Sequence, residues 1–321
     1  MSGMRYLISA ASLRNKKSLA GSLGRTLLGL KSVSAHPYEW QLVSRRADEA
    51  ETLQNELTRV LQPGTQSTFD SIVRGSITYK HVDDIANEMV KAKATGLVLL
   101  PDAIDVSQWI ESQTLLAAAK AANLQHLVLV STCAAHPSSL LPSGQAWAEL
   151  EKQASDTQLP VSIIHHTTLM QSMLCGLWAE SICNRTLSVA MDRARISFVD
   201  AADVAEVVNH VLAQPHPSSI LSVTGPAALS WDEVASTFSR HLDTPLRLSK
   251  VPLWVVQPSM WIRGKSADDI RETINHAKYY EAGGEAQVTS TVEEILGRAP
   301  RTFESFVEFN KEQWPRPHGQ A

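Results

Sequence analysis

Three cysteines in 321 residues, Cys133, Cys175 and Cys183, are too few for a disulfide framework and fall at no metal-ligand spacing. A reducing, cytoplasmic compartment and no bound metal are the resulting expectations. Long apolar runs are lacking as well: Leu253-Trp254-Val255-Val256 is halted by Pro258, far short of a membrane span. Nor is charge one-sided. A net charge of −4 gives no electrostatic reason to expect nucleic acid or an anionic membrane as a partner. The HExxH pair of zinc proteases is absent, and so is a GxSxG nucleophile turn. Residues 1–38 contain no Asp or Glu but several Lys, Arg and Ser, the composition of a transit peptide. Against cleavage, Tyr6-Leu7-Ile8-Ser9-Ala10 reads as a first strand whose removal would take the central member from a sheet.

What is present, at 44% hydrophobic and 19% charged, suffices for a large core. Two apolar runs, Leu97-Val98-Leu99-Leu100 and Leu127-Val128-Leu129-Val130, flank a segment with Leu115, Leu116, Ala119 and Ala122 at helical spacing. Neither run alternates with polar residues, so both strands should be covered on two faces, as in a parallel sheet between helices. Pro101-Asp102 follows the first run and Ser131-Thr132-Cys133 the second. Ligands of such sheets lie beyond the carboxyl ends of the strands, which places function near Leu100 and Ser131.

Around this unit, Arg5–Ala10, Trp40–Arg46, Ser71–Ser76 and Pro160–Ile164 read as further strands, with helices over Asp83–Ala92, Ala148–Ala154 and Asp203–Leu212. A helix and loop are predicted over 48–68 and a Pro/Ser-rich loop over Ala135–Gly144. The expected fold is α/β, a doubly wound, mostly parallel Rossmann-like sheet, with residues 1–225 as the nucleotide core and 226–321 as a smaller, mainly helical lobe. After the first strand, Gly21 and Gly24 stand three apart with Ser18 where a first glycine would be. A pyrophosphate could meet the backbone of Gly21, Ser22, Leu23 and Gly24 at a helix start, with Arg14, Lys16, Lys17 and Arg25 nearby. Arg45 and Arg46, at the end of the second strand, suit a ribose 2′-phosphate and favour NADP over NAD. Asp200 and Asp203 are read as helix caps. Capping boxes are predicted at Ser230/Glu233 and Ser290/Glu293, with Gly297 closing the helix after the second, and a last helix is predicted over Thr302–Trp314.

These blocks resemble the NmrA-like, atypical short-chain dehydrogenases, most closely the subgroup of fungal ergot-alkaloid (agroclavine or festuclavine) dehydrogenases. The resemblance is carried by Gly21–Arg25, Val43-Ser44-Arg45, Leu99-Leu100-Pro101, Leu127–Ser131, Ala148–Glu151, Phe198-Val199-Asp200 with Asp203-Val204-Ala205, Thr224–Ser230 and Leu296–Phe303. It implies an NADP-binding core with a C-terminal part that shapes a substrate pocket. Three positions depart from the pattern: the interrupted glycine turn, Trp147 where relatives carry lysine two residues before the glutamate matched by Glu149, and His165-His166 in place of Arg-Pro. Moreover, none of the five tyrosines has lysine four residues on, so the usual Tyr-x-x-x-Lys proton donor is missing.

That absence narrows the chemistry. Ketone reduction needs a positioned acid for the developing alkoxide, whereas an iminium needs hydride alone and an enone or quinone lies between. The sequence therefore points to an NADP-dependent oxidoreductase of a small, polycyclic secondary metabolite. Its candidate cofactor residues are Gly21, Ser22, Leu23, Gly24, Arg45, Arg46, Leu100, Pro101, Ser131 and Thr132. Its candidate catalytic residues are His165 and His166, with Trp147 and Met170 lining the substrate. A monomer or homodimer is expected. Two other readings stand beside it, an NADP-binding redox regulator without turnover and a cofactor-independent cyclase or isomerase.

Overall fold

The computed structural model describes residues 5–9, 39–44, 73–78, 82–101, 106–213 and 218–315, with Gly24, Leu27 and Leu53. Strands β1 (Arg5–Ser9), β2 (Glu39–Ser44), β3 (Val73–Thr78), β4 (Gly96–Leu99), β5 (His126–Thr132) and β6 (Val161–His166) come first in the chain. The short strands β7 (Thr186–Val189) and β8 (Arg195–Ile196) precede β9 (Ser219–Val223). One seven-stranded sheet takes the order β3-β2-β1-β4-β5-β6-β9, and its pairings from β3 to β5 are all parallel. Every residue of β4 is buried, and so are all but the last of β5, as their unbroken apolar runs require. Helices α1 (Val82–Lys91), α2 (Val106–Ala121) and α3 (Pro142–Asp156) follow β3, β4 and β5. The proline-rich stretch after β5 becomes helix at Pro142, earlier than predicted, because proline suits the first turn, where its missing N–H is not needed.

The chain divides into two compact units. The first gathers Met1–Ser131, Ala148–His165 and Val204–Leu221, and the second Thr132–Trp147, His166–Asp203 and Ser222–Ala321. The sequence alone led to the expectation of a single cut after residue 225. Six segments alternate between the units, because the loops leaving β5 and β6 already belong to the second.

In the first unit, Tyr6 is paired in register with Gly96 of β4, where a Cβ would collide with the tyrosine ring. The absent side chain lets the ring lie across the neighbouring strand, against Trp40 and His126. The Tyr6 hydroxyl donates to Leu212 O at 3.1 Å, and burial pushes the phenol up to about 12.

The second unit adds α4 (Gly176–Cys183), α5 (Ala201–Ala213, shared with the first), β10 (Leu229–Ser230), α6 (Trp231–His241) and β11 (Arg247–Lys250). It ends with α7 (Leu253–Ile262), α8 (Ala267–Glu281), α9 (Thr291–Leu296) and α10 (Phe303–Asn310). Phe198, Trp231, Phe238, Phe303 and Trp314 form its aromatic core, and the Trp314 indole donates to Met173 O at 2.8 Å. The Ser230/Glu233 capping box forms as predicted, and Gly297 closes α9 in the left-handed region at φ 66°. Ser290 does not cap α9; its hydroxyl donates to Glu294 instead. A capping box at Ser266/Asp269 was missed, since its third residue is Asp where the pattern asks for Glu or Gln. The last helix stops at Asn310 and continues to Gln313 only as a 3-10 turn.

Asp203 is fully buried and binds the second unit's C-terminal segment. It accepts from Arg298 Nη2 at 2.8 Å, from the Arg301 backbone N–H at 2.7 Å and from the Arg301 guanidinium. Asp200, rather than Asp203, caps α5, accepting from Ala202 N at 2.8 Å. Replacing Asp203 with Ala would take a buried acceptor from two guanidinium groups and one N–H. We expect a loss of about 3 kcal/mol in unfolding free energy, read by urea denaturation, whereas replacing the exposed Asp268 should change it by under about 0.5 kcal/mol.

Candidate functional site

The parallel order β3-β2-β1-β4-β5-β6 reverses direction between β1 and β4. Dinucleotides cross doubly wound sheets at this reversal, on the carboxyl edge, because two neighbouring loops diverge there and leave a crevice. The residues present fit such a cofactor. Gly24 is helical and buried after β1, as a glycine that brings a helix close to the sheet should be. The Ser9 hydroxyl, at the end of β1, donates to the buried Glu111 of α2 at 2.8 Å. Leu100 and Pro101 are buried directly after β4. Gly21, Ser22, Leu23, Arg45 and Arg46 lie outside the described residues, as do the predicted helix and loop over 48–68 apart from Leu53, and the acid-free leader apart from β1, Gly24 and Leu27.

On the same edge, the ends of β5 and β6 carry Ser131 and His165. Ser131 is 1% exposed, and its hydroxyl donates to Glu151 Oε1 at 2.5 Å. His165 Nε2 lies 2.8 Å from that oxygen. The first unit thus brings Ser131 and His165, singled out in the sequence, onto one carboxylate that was not. A carboxylate accepts only, so the His165 hydrogen sits on Nε2, and Nδ1 has no hydrogen-bond partner among the described residues. Glu151 comes from α3, four residues after Trp147 and one after the buried Leu150. That spacing puts it on the face of Trp147, the cue by which it could have been found. Glu149, the glutamate matched to the family, is exposed and accepts from Gln153 Nε2 at 3.0 Å.

The other candidates lie in the second unit. Thr132 is half-buried and accepts from Ala134 N at 3.2 Å, closing the turn after β5. His166 Nδ1 lies 2.8 Å from Thr167 O. Trp147 is 7% exposed. Met170 is wholly buried and packs in the aromatic core. That surrounding explains its apolar character without a ligand.

A further acid was not anticipated. Glu285 Oε2 accepts from both the backbone N–H and the hydroxyl of Thr168, each at 2.6 Å, and Tyr280 OH lies 2.9 Å from that hydroxyl. Burial pushes the Glu285 carboxyl up to about 7, the two Thr168 bonds pulling the other way. Burial also raises the Tyr280 and Tyr279 phenols, with the Glu285 charge second.

The Glu285 shift has a consequence for stability. Folded protein holds the proton better than unfolded chain, so the stabilising contribution is full below about pH 4.5 and is lost as pH rises through 7. The change expected over that window is roughly 3 kcal/mol. Unfolding titrations of wild type and Glu285→Gln should differ in slope between pH 5 and 7, and parallel curves would refute the assignment.

No family model matches the sequence. The chain is 29% identical over 279 residues to an NAD(P)H azoreductase of Xenophilus azovorans, covering 80% of this chain and 93% of that protein. It is 28% identical over 131 residues to agroclavine dehydrogenase of Claviceps fusiformis, covering 40% of this chain and 45% of that one. The NADPH complex of a quinone oxidoreductase from Escherichia coli superposes with a TM-score of 0.72 at 13% identity, over 95% of this chain and 99% of that one. Its relatives by sequence thus include named reductases and dehydrogenases, and its architecture is the Rossmann-like fold of NAD(P)-binding reductases.

Proposed function

We propose that this chain is an NADP-dependent oxidoreductase of small, apolar, electron-poor molecules. The observation that carries the reading is the Ser131–Glu151–His165 group at the carboxyl edge of a sheet in dinucleotide-binding order. The relation to an NAD(P)H azoreductase supports it. When bound, the reduced nicotinamide supplies a hydride. Gly21, Ser22, Leu23 and Gly24 would hold the pyrophosphate, Arg45 and Arg46 the 2′-phosphate, and Leu100 and Pro101 the adenosine side. Ser131 and Thr132 would stand beside the nicotinamide.

The residues of the chain then handle orientation and the proton. Glu151 fixes the His165 ring through Nε2, which leaves Nδ1 to exchange a proton with an acceptor that has gained negative charge. Without a Tyr-Lys pair, substrates that stabilise this charge themselves are favoured: azo compounds, quinones, enones or iminium ions. A polycyclic secondary metabolite, as in the ergot-alkaloid subgroup, is the finer form of this reading.

Transfer of label from 4-deuterated NADPH to a quinone or azo dye, followed by mass spectrometry, tests the activity. Saturable NADPH binding without label transfer would turn the account toward a regulator. His165→Asn should lower kcat by about 100-fold or more while leaving NADPH affinity intact, and Glu151→Gln should act in the same direction. Changing Arg45 and Arg46 together to Ala should weaken NADPH more than NADH, because only the former carries the 2′-phosphate. Equal weakening would contradict that placement.

A further inference from the structure

Within the second unit, α7 turns an apolar side outward. Trp254, Pro258, Trp261 and Ile262 fall at i, i+4, i+7 and i+8, which is one stripe of a helix. Trp254 is 78% exposed, Trp261 74% and Ile262 81%, and Pro258 is exposed with them. The helix is already anchored by other residues: Val256 is buried, and Leu253 packs against the aromatic core. A contiguous apolar stripe left in water after the core is filled marks a surface that docks on something else.

Both ends of the stripe are cationic. Arg263 and Lys265 follow the last turn of α7 and are exposed. At the first turn, Leu253 lines a hollow of about 540 Å³ together with Lys250, Lys278 and Arg193. Two of these are matched, Lys250 by Asp192 at 2.6 Å and Arg193 by Glu281 at 3.2 Å. On α8, Asp268 meets Arg271 at 2.7 Å, Asp269 caps the helix through Ser266, and Glu272 accepts from Ser143. Arg247, Arg263, Lys265 and Lys278 meet no carboxylate among the described residues. The net charge of −4 over the whole chain hides this local excess of positive charge.

That charge selects the occupant. Two copies meeting through this face would set like charge against like, because an isologous contact repeats the same patch on both sides. An anionic surface is complementary to it. Tryptophans bracketed by lysine and arginine suit a lipid interface, where the indole ring enters the apolar boundary and its N–H stays among the headgroups. We propose that α7 docks this chain on the surface of an anionic phospholipid bilayer, with Trp254, Trp261 and Ile262 at the acyl boundary and Arg263, Lys265 and Lys278 on headgroup phosphates. With 10 residues, α7 lies on the bilayer and is too short to cross it. This docking is independent of the reductase reading.

The test is flotation of the full chain with vesicles of phosphatidylcholine, alone or mixed with phosphatidylserine, combined with quenching of tryptophan emission by brominated acyl chains. Wild type should float with the anionic vesicles, show quenching, and be released by salt. Changing Trp254→Ser together with Trp261→Ser should weaken binding about 10-fold or more and abolish the quenching, with thermal melting unchanged because both sites are exposed. Changing Arg263→Gln together with Lys265→Gln should weaken binding to anionic vesicles about 10-fold and leave binding to phosphatidylcholine alone unaltered. Wild type that stays unbound, or that floats without quenching, would overturn the proposal, as would either double variant binding like wild type. A dimer seen by light scattering that the tryptophan changes dissociate, with no vesicle binding, would assign the stripe to a second copy instead.

Discussion

One carboxylate oxygen, Glu151 Oε1, takes a hydrogen bond from the end of each of two strands, and the account of this protein turns on that junction. Ser131 and His165 leave a sheet whose interior is apolar on both faces, so their polar groups need partners close at hand. Glu151 supplies both from a helix seated on buried Leu150 and Ala154. The same contacts that satisfy the strand ends therefore fix the orientation of an imidazole. Structural need and chemical use coincide at one atom.

Buried acids recur as organising groups elsewhere. Glu111 meets Ser9 at the end of β1, Asp203 gathers Arg298 and Arg301, and Glu285 joins Thr168 to the chain that follows α8. Their differences are physical. Asp203 faces two guanidinium groups, whereas Glu285 has no cation beside it among the described residues and burial raises its proton affinity against the pull of the two Thr168 bonds. An acid matched by cations stabilises a fold; one without them is available for titration near neutrality.

Most of the sheet was legible because its strands are short apolar runs bounded by turn residues. β4 and β5 fall within a few residues of their expected limits, and the Ser230/Glu233 box forms as read. What escaped depended on distant partners. Glu151 meets its partners only once β5 and β6 stand beside its helix, and Glu285 lies 117 residues from the threonine it holds. Met170 is a flexible apolar side chain near a strand end, which by sequence fits a pocket or a core equally well, and it packs in the aromatic core. Periodicity likewise carries no information on which loops of a sheet join a second unit.

The most direct test of the central claim is a crystal structure of the protein with NADPH. The account expects the dinucleotide across the β1–β4 reversal, with its nicotinamide in van der Waals contact with the Ser131 strand end and His165 close enough to serve the bound acceptor. A cofactor lodged elsewhere, or absent at saturating concentration, would contradict it.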